Sequence, residues 1–416
     1  MLIGYQFNSY AEKRNIIGIV PDAKYKKVHD TFSLKEEIAN NQNRLANRKV
    51  LSRFNTRNPR FDYYYQFDDS DLNQVSLLHF FNTISYGSTP WITTFETYLP
   101  RFACLISYPH TSKLESDFSA LKDEAKIHKA LKALSGDACH RIIAMSDCNA
   151  NMQKMLLKEF PEYQESIQSK LIVMHPPQRL LIHKYEEKYL SLDEKIRFLF
   201  VGSGFFRKGG EEIIEIFKYL KDEYKYNFEL TIVSTLTIDH YATKNQKTPA
   251  DVEIIKYLIQ QNSEWINYFP GLPNQEVLEL MKKSHIGLLP TYADTYGYSV
   301  LEFQAAGCPV ITTNIRALPE INDNNVGWII EIPKSSLGEA IYTGELIYMT
   351  KEARFVISKS IREGIEQAVH EIFADRQVIL YKSNRSISRI IEHHSIEDYA
   401  SRLKNIYLEA IRADKT

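Results

Sequence analysis

The 416-residue chain has no apolar stretch that approaches the ~18 residues of a membrane-spanning helix. Its start, Met1-Leu-Ile-Gly-Tyr-Gln, lacks the charged n-region and apolar core of a secretory leader, so a cytoplasmic location is expected. Cysteine is scarce: Cys104, Cys139, Cys148 and Cys308 show neither Cys-x-x-Cys spacing nor a nearby His at zinc spacing. Free buried thiols are therefore expected, and no metal site. The chain also lacks net charge, with 51 Lys and Arg against 52 Asp and Glu, and it has no internal repeat or low-complexity segment. With 44% hydrophobic and 25% charged residues it is globular, and 416 residues are too many for one core, which implies two domains.

The most informative stretch is Asp294-Thr-Tyr-Gly-Tyr-Ser-Val-Leu-Glu302. It follows the apolar run Ile286–Pro290 and leads into Phe303-Gln-Ala-Ala-Gly-Cys-Pro-Val-Ile-Thr312, so the order is buried strand, turn with Gly297, helix, Gly stop, strand. Such an order sets a helix N-terminus beside the carboxyl end of a parallel strand. The amides near Tyr298, Ser299 and Val300, with the positive end of the helix dipole, would stabilise a phosphate there. Asp294 and Glu302 bracket the turn, and carboxylates accept hydrogen bonds from the hydroxyls of a sugar or ribose.

A second segment has the same logic. Ile196-Arg-Phe-Leu-Phe-Val-Gly202 reads as a buried strand, Ser203-Gly-Phe-Phe-Arg-Lys-Gly-Gly210 as a loop, and Glu211–Leu220 as an amphipathic helix with apolar positions 213, 214, 217 and 220. Gly202 and Gly204 let the backbone approach an anion, and Arg207 and Lys208 bring two positive charges to a diphosphate. Between the segments lie a strand at Phe228–Ser234, a helix over about 249–262, the run Trp265–Gly271 and a helix at Gln275–Met281.

These motifs, in this order, resemble the retaining, family-4 type of GT-B glycosyltransferase, whose signature is two Glu separated by seven residues. Asp294 stands in the first place and Glu302 in the second, with Gly297 and Ala306-Gly307-Cys-Pro-Val matching the rest. The resemblance implies an α/β fold of two Rossmann-like domains facing a cleft. It implies that Glu302 holds the ribose diol and that the first acid touches the donor sugar, although Asp294 is one methylene shorter. The loop containing Phe269 and Leu272 would read the base, mostly through backbone groups, while Tyr296 belongs to the same donor turn. Many members carry Arg directly after the first Gly; this chain has Ser203, and Arg207 takes that role.

In the first half, apolar runs at Val75–Phe81, Pro90–Phe95, Arg141–Ser146 and Lys170–Met174 read as parallel strands with turn chemistry at their carboxyl ends. The resemblance continues weakly here, over Leu78–Asn82, Thr93–Glu96, Ala144–Asp147 and His175–Pro177. Where the family has a His lining the donor pocket, this chain has Glu96. A carboxylate beside a diphosphate is repelled by ~4 kcal/mol for unit charges about 4 Å apart at an effective dielectric of 20. Glu96 therefore points at sugar or acceptor hydroxyls, is neutral, or marks a changed site.

Residues 1–60 hold 12 Lys or Arg against 5 Asp or Glu, a surplus of 7 in a chain of net charge −1. Arg44, Arg48, Lys49, Arg53, Arg57 and Arg60 carry much of it, in and after a stretch from Ser33 that looks helical. Such a surface suits anionic lipid headgroups or a phosphate-bearing acceptor, or is a solvated face. Nucleic acid is not an expected partner, since the basic run lacks exposed aromatics or a folded module. Asp68-Asp-Ser-Asp71 has the Asp-x-Asp form of a cation site but sits where a turn wants Asp and Ser, and His393-His394 reads as a segment leading into a helix.

The expected domains are an acceptor-side domain over 1–185, with Leu180–Lys195 as linker, a nucleotide-sugar domain over 186–390, and a C-terminal segment, 391–416, whose helix near Ile396–Ile411 returns to the first domain. The expected activity is retaining transfer of a sugar from a nucleotide-diphospho-sugar, UDP favoured over GDP, to a glycan or lipid-linked acceptor in cell-envelope polysaccharide synthesis. Arg207, Lys208, Asp294 and Glu96 are the candidate catalytic residues. Neither metal nor other cofactor is expected, and an anionic membrane surface is a further expected partner. The alternatives are a nucleotide-sugar isomerase or hydrolase on the same fold, and a catalytically silent partner subunit.

Overall fold

The computed structural model describes residues 1–30, 61–69, 73–107, 118–238, 247–341 and 351–413. It divides into two units, one formed by the described residues of 1–177 and 396–413, the other by those of 178–395. The crossing after Pro177 precedes the expected 185/186 boundary. The segment Leu180–Lys195, expected as a linker, is bound into the second unit: Leu181 and Ile182 donate to the Ala305 carbonyl, and the Lys188 ammonium is buried. It donates to the carbonyls of Ala306 at 2.7 Å and Met281 at 3.2 Å and to the Cys308 sulfur at 3.1 Å.

In the first unit the strands are β1 (Leu2–Tyr5), β2 (Lys24–Lys27), β3 (Gln66–Phe67), β4 (Leu77–Phe81), β5 (Ile84–Ser85), β6 (Trp91–Phe95), β7 (Cys139–Ala144) and β8 (Leu171–Val173). Six of them make one parallel sheet in the order β2-β1-β4-β6-β7-β8, and β3 pairs with β5. Every residue of β4 and β6 is buried, as expected of continuous apolar runs in a sheet covered on both faces. The helix Ile396–Ala413 supplies Tyr399, Leu403, Ile406, Tyr407 and Ala410, a helical stripe, to a core that includes Ile3, Leu77, Ile92 and Ile143. A polar pin holds it there: the His79 ring lies 2.8 Å from the Tyr407 hydroxyl and 2.9 Å from that of Thr94.

The second unit has β9 (Ile196–Val201), β10 (Phe228–Val233), β11 (Ile266–Phe269), β12 (Ile286–Leu289), β13 (Val310–Thr313) and β14 (Trp328–Ile330). They pair in parallel in the order β11-β10-β9-β12-β13-β14, which is the doubly wound, Rossmann arrangement. Helices Gly210–Tyr224, Pro249–Gln261, Asn274–Lys282 and Tyr298–Ala305 connect them. The first buries Ile213, Ile214, Phe217 and Leu220, the positions its periodicity marks. The second starts where Thr248 and Asp251 form a capping box, with Pro249 in the first turn.

One expectation is extended here and one corrected. His393 is the last residue of the helix Gln377–His393 and His394 caps its C-terminus, so the pair ends one helix as well as leading, across Ser395, into the next at Ile396. That helix begins far upstream because Ile379, Ile387 and Ile390 form its buried face. The four cysteines are free, but only Cys139 and Cys308 are buried, Cys104 and Cys148 being partly exposed.

Burial alone pulls the His79 pKa from 6.5 down to about 3, so the ring is neutral in the folded protein. Its lowered folded value means that stability is fully present above pH 6.5 and is lost as pH falls towards 3, because the unfolded chain binds the proton first. Urea unfolding of the parent is expected to lose up to about 1.4 kcal/mol per pH unit in that window through this group. The His79→Gln variant should show a correspondingly shallower acid slope; equal slopes would mean that His79 is solvated.

Candidate functional site

In the second unit the sheet order places β9 beside β12 while their onward connections run to opposite sides, through β10 and β13. This is the switch point at which α/β sheets hold ligands, outside the carboxyl ends of the strands. Pairing of Phe200 with Leu288 brings the segments 202–209 and 290–297 side by side. Both loops that the sequence singles out therefore meet, although 86 residues separate their charged members.

The two loops are laced together. The Tyr292 amide donates to the Arg207 carbonyl at 2.9 Å, and the Thr291 hydroxyl reaches the same oxygen at 3.2 Å. In return the Arg207 guanidinium donates to the Ala293 carbonyl at 2.6 Å. Gly209 lies flush against the other loop, since a Cβ there would stand 2.2 Å from the Pro290 carbonyl oxygen, and its φ of +80° disfavours any side chain. Lys208 folds over Gly202, where a Cβ would lie 2.6 Å from the lysine Cδ, and its ammonium sits 3.2 Å from an Asp294 carboxylate oxygen.

Asp294 is thus the counter-ion of Lys208. Burial acts to raise its pKa, but the charges of Lys208 and then Arg207 outweigh burial and hold the carboxyl below its ordinary value. Two cations and a carboxylate therefore gather where the two loops meet at the carboxyl edge of the sheet. The helix Tyr298–Ala305 starts next to it, with Gly297 at its N-cap and no side-chain cap. Val300 donates its amide to the Gly297 carbonyl at 2.9 Å, so of the three expected amides that of Val300 is taken up within the helix. Glu302 lies in this helix and is buried, 6% exposed. Tyr296, also buried, tilts against Tyr298 with ring centroids 5.5 Å apart.

The remaining candidates of this unit lie along the same edge. Gly202, Ser203 and Gly204 follow β9, and the Ser234 amide at the end of β10 donates to the carbonyl of Phe269 at the end of β11. Phe269 is 36% exposed and Leu272 half-buried. In the first unit the corresponding loop after β1 is differently furnished. There the Glu12 carboxylate accepts the amides of Phe7 at 2.9 Å and Ser9 at 2.7 Å, occupying donors that an anion would need.

Glu96 belongs to the first unit, at the carboxyl end of β6, with partners that the sequence reading did not include. Arg101 donates to it at 2.8 Å and the Asn82 side chain at 3.3 Å, so a cation already stands against it. Arg101, and the pairing of Asn82, held at φ 62°, with Glu96, were not legible from motif or spacing. Of the acidic cluster, Asp68 and Asp69 follow β3, while Ser70 and Asp71 lie outside the described residues. The basic positions Arg44, Arg48, Lys49, Arg53, Arg57 and Arg60 also lie outside them.

Two Rossmann-like units in one chain define the GT-B architecture. Residues 182–343 match the family described as Glycosyl transferases group 1, and the second unit is a domain of that family. The chain is similar to the lipopolysaccharide glucosyltransferase WaaG of Escherichia coli (strain K12), 30% identical over 152 residues, 36% of this chain and 37% of that protein. The match thus spans little more than a third of the relative's length. In fold it is similar to the sucrose-phosphate synthase of Thermosynechococcus elongatus, with a TM-score of 0.58 at 12% identity over 99% of this chain and 100% of the other. It is also similar to Anabaena Alr3699/HepE, solved in complex with UDP and glucose, with a TM-score of 0.54 at 10% identity over 98% of this chain and 100% of the other.

Replacing Gly209 by Ala is expected to destabilise the second unit by about 1–2 kcal/mol from the left-handed backbone alone. The contact with Pro290 adds to this, and the thermal midpoint should fall by about 2–8 °C. An unchanged midpoint in differential scanning calorimetry would show that the two loops are not held together at this point.

Proposed function

We propose that the chain is a retaining glycosyltransferase that moves a sugar from a nucleotide-diphospho-sugar, UDP favoured over GDP, to a glycan or glycolipid acceptor. The observation that carries the reading is the laced pair of loops, which puts Arg207 and Lys208 beside the start of the helix that contains Glu302. Positive charge converges where a leaving diphosphate would gain negative charge, and the Glu302 carboxylate is the group that would take a ribose diol. In the reaction so inferred, the bond from the anomeric carbon to the diphosphate breaks and the acceptor hydroxyl attacks from the same face. Its proton passes to a leaving-group phosphate oxygen.

Support for a UDP-sugar comes from the Anabaena neighbour, whose complex holds UDP and glucose. Support for a lipid-linked acceptor and for envelope polysaccharide synthesis comes from WaaG, a lipopolysaccharide glucosyltransferase. Among the described residues no helix is long and apolar enough to cross a membrane. We therefore place the enzyme at the cytoplasmic face, with the basic surplus of residues 1–60 meeting anionic lipid. A silent partner subunit is the weaker reading, because the exchanged acids Glu96 and Asp294 both retain a basic partner.

The Arg207→Gln, Lys208→Gln double variant is expected to lower donor turnover about 10²- to 10³-fold, the loss that follows removal of a preorganised charge-stabilising group. Steady-state kinetics with UDP-glucose and GDP-mannose as donors check it, and rates within threefold of the parent would remove these residues from the reaction.

Activity is further expected to survive EDTA, since two cations and a helix N-terminus supply the field that a divalent ion otherwise provides. Loss of turnover on chelation, restored by manganese or magnesium, would refute a metal-independent mechanism.

A further inference from the structure

Beneath the two motif loops lies a buried polar cluster that none of the motifs contains as a whole. Glu212, in the first turn of the helix Gly210–Tyr224, is 1% exposed. One of its carboxylate oxygens accepts the hydroxyl of Tyr292, itself fully buried, and that of Ser358 at 3.0 Å. Arg354 stacks its guanidinium over the Tyr292 ring at 4.5 Å and stands 3.6 Å from Glu212 and 3.4 Å from Glu211. Arg354 and Ser358 lie one turn apart on the helix Lys351–Ala374.

The chain positions of these groups give the cluster its meaning. Glu212 follows Lys208 and Gly209 directly into the helix, and Tyr292 stands just before Asp294 in the facing loop. The Tyr292 amide also holds the Arg207 carbonyl. Glu212 and Tyr292 therefore join the two loops from below, and Arg354 of the helix Lys351–Ala374 locks the joint with a cation.

As a stability device the cluster is poor. The second Glu212 oxygen is buried and accepts no hydrogen bond among the described residues. Buried ion pairs of this kind are commonly matched or exceeded in stability by apolar side chains of similar volume. What they supply in exchange is direction: a carboxylate with a phenol, a hydroxyl and a guanidinium around it has one arrangement, where an apolar cluster has several.

We propose that Glu212, Tyr292 and Arg354 are positioning residues that set where Arg207 and Lys208 meet the diphosphate of the donor, an inference that rests on the glycosyltransferase reading. They touch neither nucleotide nor sugar. Their effect falls on the phosphate-facing groups, because the inferred base contact lies in the Phe269 loop and Glu302 is held within the body of the helix Tyr298–Ala305.

The test separates phosphate from nucleoside. Tyr292→Phe, Glu212→Gln and Arg354→Met are titrated with UDP and GDP by calorimetry, and uridine and guanosine affinities are measured by saturation-transfer NMR. Each variant should lose roughly tenfold or more in nucleoside-diphosphate affinity, the scale expected of a group displaced by about 1 Å. Nucleoside affinity should stay within about twofold, and Arg354→Lys should recover part of the loss. Should Glu212→Gln fail to fold, Tyr292→Phe decides, since it keeps the ring under Arg354 and removes only the hydroxyl. Equal losses for diphosphate and nucleoside, or diphosphate affinity within threefold of the parent, would reduce the cluster to a structural support. A parent that binds neither UDP nor GDP would overturn the glycosyltransferase reading itself, and this inference with it.

Discussion

The second unit depends on one close approach: the Gly209 backbone against the carbonyl oxygen of Pro290. Because no side chain fits between them, the loop leaving β9 and the loop leaving β12 behave as one body. Everything else at the site follows from that contact. Tyr292 can reach the Arg207 carbonyl, Arg207 can reach that of Ala293, and Lys208 can meet Asp294, only because the loops are already within hydrogen-bond range. Catalytic charge that arrives preorganised need not be reoriented as the reaction proceeds, which is where most electrostatic stabilisation in enzymes comes from.

Charge is handled differently in the two units. In the first, the Glu12 carboxylate fills the loop after β1 and takes up its amides, and Glu96 is matched by Arg101. In the second, Asp294 lies under the charges of both Lys208 and Arg207, and Arg207 also holds the Ala293 carbonyl, so the two cations are gathered beside the start of the helix Tyr298–Ala305. Two similar folds thus differ at their carboxyl edges through a few side chains, in keeping with the rule that function resides in sites and not in folds.

Much of this was legible in the sequence. Continuous apolar runs such as Leu77–Phe81 and Ile196–Val201 announce buried parallel strands, and the turn chemistry around Gly202 and Gly297 marks the two loops that the fold brings side by side. The strands β1 and β2 escaped because each has four residues, and β2, Lys-Tyr-Lys-Lys, is a mostly exposed edge strand without an apolar run. The burial of Lys188 could not be foreseen either, since its partners are backbone carbonyls brought in by the fold, which leave no mark on the side-chain pattern. Glu212 did leave a trace: it shares a helical stripe with the buried Ile216 and Leu220, where a carboxylate needs an explanation. Pairing with Tyr292 and Arg354, which lie 80 and 142 positions further on, is visible only in three dimensions.

The helix Ile396–Ala413 lies in the core of the first unit, on the far side of the second in chain order. A ribosome therefore delivers the whole of the second unit before the piece that closes the first. While residues 178–395 are being made, the surface formed by Ile3, Leu77, Ile92 and Ile143 waits without Tyr399, Leu403 and Tyr407 to cover it. The unit made first is the one finished last, and its uncovered apolar face during synthesis is the stretch of this protein's life when a chaperone has something to hold.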